Sequence, residues 1–131
     1  MGTRSLTIVY ESDSKKPNVI MYRQMDGYPS GHGLELAEFL KPIKMVNEIG
    51  LNSRQVANGA GCLAAQMVTY FKEGPGEIYL EACLGDRGEE YEYIVRADET
   101  KGIEVTCRGG LARTQLFKGS VSAFEAWCKE H

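Results

Sequence analysis

Cys62 falls in the first turn of a predicted helix, and His32 lies upstream of it between two glycines. A thiol at a helix N-terminus is drawn toward thiolate by the macrodipole. An imidazole close by would serve as its base, and Asp26 or Gln24 would orient that imidazole. Nucleophile, base and orienter are the parts of thiol catalysis. Turning about 100° per residue, the helix sets Cys62 beside Gln66 and Thr69, opposite the stripe of Ala64, Met67 and Phe71. A core cysteine does not normally sit there. The structural alternative is that this side of the helix packs on a loop or on a partner chain, with His32 as a cap or packed loop residue. The catalytic candidates are therefore Cys62, His32 and Asp26. The contact candidates are Gln24, Asp26, Tyr28, His32, Gln66 and Thr69.

Other groupings point to chemistry less firmly. Gly59-Ala60-Gly61-Cys62-Leu63-Ala64 spells the glycine pattern of dinucleotide sites. That chemistry needs a strand before it and a βαβ unit around it, and the sequence offers neither. Cys62, Cys83, Cys107 and Cys128 form no C-x-x-C pair, so no metal is expected. Glu77, Glu81, Glu90, Glu92 and Glu104 alternate with arginines in a way that suits ion pairs on a wet sheet face. Arg108-Gly109-Gly110, Arg113 and Lys118 make no basic stripe with stacking aromatics, so nucleic acid is not expected as a partner. No cofactor is implied.

These residues must be positioned by a small set of elements. Residues 3–11 alternate with Leu6, Ile8 and Tyr10 on one side, predicting a strand with one buried face. A polar turn at 12–18 leads to a second strand at 19–24, completing an N-terminal β-hairpin. The loop 24–33 holds Gly27, Gly31, Gly33 and Pro29, so its shape depends on special backbone angles. Leu36, Phe39, Leu40 and Ile43 then fall at helical spacing, and Pro42 stops that helix. Residues 44–58 read as connection, with a helical turn near 53–55. The strongest helix follows at 58–72, closed by Gly74-Pro75-Gly76. Alternating stretches around residues 77–82, 90–97 and 103–108 predict an antiparallel β-meander, and 115–117 adds a short strand. A capping box at Ser122 and Glu125 opens a C-terminal helix burying Val121, Phe124, Trp127 and Cys128. The expected fold is one α+β domain over 1–131, with the helices packed on one face of the sheet.

With 131 residues, 43% hydrophobic and 25% charged, the chain has the composition of a globular domain with a real core. A net charge of −3 gives no electrostatic reason to expect nucleic acid or an anionic membrane. No apolar run reaches the roughly 18–20 residues of a membrane span, and no secretory signal is recognisable. A cytoplasmic protein with reduced thiols is the expectation.

A histidine upstream of a cysteine at a helix start is similar to the order in circularly permuted papain-like amidases. The likeness is confined to two residues and a helix. The segment Asp26-Gly27-Tyr28-Pro29-Ser30-Gly31-His32-Gly33, with Asn58-Gly59-Ala60-Gly61-Cys62-Leu63-Ala64-Ala65-Gln66 and Phe117-Lys118-Gly119-Ser120, resembles a family of small phage, viral and bacterial proteins of no established activity. That resemblance spans most of the chain, implies that the glycine loop is a family trait, and carries over no catalytic residue. The expected function is a non-enzymatic binding or accessory module that self-associates, a dimer first of all. The alternative is a Cys–His hydrolase or transferase.

Overall fold

Strand β1 (Ser5–Glu11) is buried along nearly its whole length, and the rest of the main sheet is laid out around it. The computed structural model describes residues 2–47 and 55–131. β1 pairs antiparallel with β2 (Val19–Arg23), which is the expected hairpin. On its other side it pairs in parallel with β6 (Tyr91–Asp98). Being central, β1 buries both faces and not the single face its alternation suggested. Leu6, Ile8 and Tyr10 pack with Ile20 on one side of the sheet, while Val9 joins the larger core on the other.

The sheet has six strands in the order β5, β2, β1, β6, β7, β8. β6, β7 (Gly102–Gly109) and β8 (Thr114–Ser120) form an antiparallel meander. β5 (Ile78–Leu80) does not belong to that meander; it pairs antiparallel with β2 at the far edge. β5 and β6 therefore run in the same direction, and no hairpin can join two parallel strands. Residues 81–90 supply the crossover, and the sheet is mixed where a purely antiparallel one was expected. Two three-residue strands, β3 (Lys44–Val46) and β4 (Val56–Asn58), pair in parallel where the sequence suggested only connection. The helical turn expected near 53–55 falls mostly outside the described residues.

Three helices cover one face. α1 (Leu34–Leu40) buries Leu36, Ala37, Phe39 and Leu40, and ends just before Pro42. α2 (Gly59–Phe71) buries Ala60, Leu63, Ala64 and Met67. α3 (Val121–Glu130) buries Phe124 and Cys128, while Val121 and Trp127 are only partly covered. Its cap is Ser120, whose side chain accepts from the Ala123 N–H at 3.2 Å, two residues before the expected capping box. These helices meet Val9, Met21, Tyr93, Val95, Val105 and Cys107 in one core. Each large side chain fully buried there is worth about 1.5–3 kcal/mol.

Candidate functional site

The register of β1 puts Thr7 opposite both Met21 and Tyr93, on the face that the helices cover. Ser5, Thr7 and Arg23 are thus polar residues on the buried side of the sheet. An unpaired buried polar group costs more than its hydrogen bond contributes; Ser5 Oγ has no partner among the described residues, whereas Thr7 and Arg23 do. The loop from β2 to α1 supplies that partner.

Its path is set by main-chain bonds. Gly27 N–H donates to the Thr3 carbonyl at 2.9 Å, and His32 N–H to the Asp26 carbonyl at 2.7 Å. Asp26 takes a left-handed φ of 62°, a conformation that a short polar side chain tolerates. Pro29–Gly33 then makes one wide π-helical turn running directly into α1. The expectation of left-handed glycines is corrected here: in this loop Asp26 adopts positive φ, and the glycines serve close approach. A Cβ on Gly31 would lie 2.5 Å from the Asp26 carbonyl oxygen, and one on Gly33 2.8 Å from Cys128 Sγ.

The turn delivers His32 into the interior, fully buried between the rings of Phe71 and Tyr93, with centroids at 4.9 and 5.2 Å. Its Nδ1 is 3.1 Å from Arg23 Nη1. A guanidinium can only donate, so Nδ1 accepts and the ring proton sits on Nε2. Nε2–H donates to Thr7 Oγ1 at 2.7 Å. Burial first, and the Arg23 charge second, pull the imidazole down to about 3, so it is neutral at physiological pH. Arg23 is itself tied down. Its Nε donates to the Met25 carbonyl at 2.7 Å, its Nη1 pairs with Glu35, and its Nη2 lies 3.6 Å from Glu77. The Tyr93 hydroxyl closes the cluster by donating to the Gly27 carbonyl at 2.7 Å.

Cys62 is elsewhere. Its thiol lies 3.5 Å from Gln66 Oε1, and Gln66 Nε2 donates to the Val56 carbonyl at 3.1 Å. Cys62 is near the start of α2, whereas the residue packed on His32 is Phe71 at its end, about 13 Å further along the helix axis at 1.5 Å per residue. The Cys62–His32 pair of the catalytic alternative is not assembled. Nor does Asp26 orient the imidazole: its carboxylate faces the Tyr28 hydroxyl at 3.4 Å. Gln24, Asp26 and Tyr28 are exposed on the loop, and Thr69 is exposed on α2, its hydroxyl donating to the Ala65 carbonyl at 3.0 Å.

Thr7, Arg23, Glu35 and Tyr93 were not singled out from the sequence. The signal was there in the odd positions of β1, where Ser5 and Thr7 share a face with Val9. A one-sided strand assigned that face to solvent.

The remaining motifs resolve in place. β4 does precede the glycine pattern at 59–64, contrary to expectation, but α2 leads to the edge of a different sheet and no βαβ unit forms. Among the described residues no group of three or more His, Cys, Asp or Glu is placed to hold a metal. The acidic strand positions include ion pairs of Glu92 with Arg108 at 3.7 Å and with Arg113 at 3.8 Å. The buried Glu89 pairs with Arg113 at 2.6 Å. Among the described residues no helix is long and apolar enough to cross a membrane.

An exposed aromatic surface joins α1 and α2. Tyr70 is 45% exposed and stands on Phe39 and Phe71, with ring centroids at 5.0 and 5.1 Å. Its phenol is shifted upward by partial burial, then by Glu38 and Glu35. An open cleft of about 540 Å³, between the end of α1, the β6–β7 turn and the start of α3, is lined by none of the candidate residues. Compared with family models, curated proteins and solved structures, the chain matches none.

Proposed function

We propose that this chain is a non-enzymatic binding module presenting the exposed side of α1 and α2 together with the loop that precedes them. One observation carries the reading. The histidine that a thiol mechanism would need is buried and neutral, with one ring nitrogen committed to Thr7 and the other to Arg23. A general base must reach the proton it takes, and this imidazole has no free lone pair to offer. What remains accessible from the original candidates is a contact surface: Gln24, Asp26 and Tyr28 on the loop, Thr69 on α2.

The test is site-resolved alkylation of Cys62 and of the exposed Cys83 across about pH 6 to 9, the range in which an activated thiol separates from an ordinary one. The binding reading expects Cys62 to react no faster than Cys83, with a pH profile unmoved by Thr7→Val. Rapid labelling of Cys62 near neutral pH, slowed by that substitution, would establish thiol chemistry instead.

A further inference from the structure

We infer that the surface around Tyr70 receives a basic segment of a partner protein, an arginine or lysine side chain lying across the Tyr70 ring. The inference rests on the binding-module reading and adds the partner's chemistry.

Buried Phe39 packs against the Tyr70 ring at a tilt and Phe71 meets it edge-on, and Tyr70 nevertheless stays 45% exposed. An exposed aromatic face attracts cations through its quadrupole. The charges around it have the same sense. Glu35 and Glu38 act on the Tyr70 phenol, and Glu35 and Glu77 share the single guanidinium of Arg23. Glu35 and Glu77 thus face one buried cation, while the ammonium of Lys72, two residues beyond Tyr70, is turned to the Gly76 and Ile78 carbonyls and the Tyr79 ring. Glu35 and Glu77 keep about half of their side chains exposed, at 48% each, although both pair with Arg23. Glu38 is exposed and makes no ion pair among the described residues. The C-terminal end of α2, one residue beyond Tyr70, adds the negative pole of its dipole.

A second copy fits poorly on this surface. A two-fold interface sets the same patch against itself, so Glu35 and Glu38 would meet their own counterparts. The sheet edges do not offer self-association an easy route either. β5 has only three residues, and β8 breaks register opposite Cys107 and Arg108, both devices that blunt an edge. Charge complementarity therefore selects a basic partner over self-association.

The probe is a short synthetic peptide of alternating glycine and arginine, titrated into 15N-labelled protein, with the glycine–glutamate peptide as control. Saturable shifts should centre on Glu35, Glu38, Phe39, Tyr70 and Phe71 and fade with added salt. Glu38→Lys, an exposed change that spares the fold, should weaken binding about tenfold. Tyr70→Ala should weaken it about two- to fivefold. Shifts spread over remote acidic positions such as Glu99 and Glu130, or affinity indifferent to Glu38→Lys, would overturn the proposal. So would movement of the same resonances with protein concentration alone, which would make the occupant a second copy. None of these outcomes depends on Cys62, so a failure here and a failure of the binding-module reading in the alkylation assay are read separately.

Discussion

Thr7 Oγ1 receives the Nε2–H of His32 at 2.7 Å, joining the middle of the central strand to the turn that launches α1. Removing that acceptor leaves a ring N–H buried without a partner, which costs about 1–3 kcal/mol. Thr7→Val, which keeps the shape and removes the oxygen, should therefore lower stability by about that amount, and Thr7→Ser by less. Urea unfolding followed by far-UV circular dichroism measures both. An unchanged midpoint for Thr7→Val would mean that the bond contributes nothing.

The same histidine makes stability depend on pH. Its folded value, about 3, lies below the ordinary 6.5, so the unfolded chain binds the proton more readily. Stability from this group is complete above the unfolded value and is lost as pH falls from 6.5 toward 3. One proton taken up on unfolding gives a slope of up to about 1.4 kcal/mol per pH unit. Above about pH 5 most carboxylates do not yet titrate, so the window from there to 6.5 isolates His32. The unfolding free energy should fall across it in the native protein and stay flatter in His32→Gln. Equal slopes would show that His32 is not neutral inside.

Much of this fold could be read from periodicity, and the exceptions have physical causes. α1 and α2 were legible because their apolar residues recur at helical spacing over whole turns. β3 and β4 were not, since three residues cannot display a period. The place of β5 was hidden because Ile78 and Leu80 alternate identically whether they pair with β6 or with β2. The polar cluster was masked by the assumption that Ser5 and Thr7 face water. The helices bury that side by packing on Val9, Met21 and Tyr93, and the face they choose leaves no local mark in the strand itself.

Trp127 is partly buried at the margin of the core, against Phe117 and Phe124 with centroids at 5.4 and 6.3 Å. Truncating a fully buried tryptophan costs about 3–5 kcal/mol. Trp127 still meets solvent, so Trp127→Ala should cost less, about 1–3 kcal/mol. Phe124→Ala, at a fully buried position, should cost more than Trp127→Ala. A reversed order in chemical denaturation would mean that α3 docks differently.

The glycines beside His32 give the most specific prediction, because their neighbours differ in kind. A Cβ on Gly31 meets the Asp26 carbonyl oxygen at 2.5 Å, a backbone atom tied to the His32 N–H. A Cβ on Gly33 meets Cys128 Sγ at 2.8 Å, a side-chain atom that can be removed. Overpacking of this sort costs about 1–3 kcal/mol, so Gly31→Ala and Gly33→Ala should both destabilise. Only the second should be relieved by a second change. Cys128→Ala opens the space that the new methyl needs, so the Gly33→Ala/Cys128→Ala double variant should lose less than the sum of its parts, by about 0.5–3 kcal/mol. Gly31→Ala combined with Cys128→Ala should be additive, since the two sites share no neighbour in this clash. A double-mutant cycle in urea separates the cases. If Gly33→Ala and Cys128→Ala simply added, the close approach of the turn to α3 would not be what requires glycine at position 33.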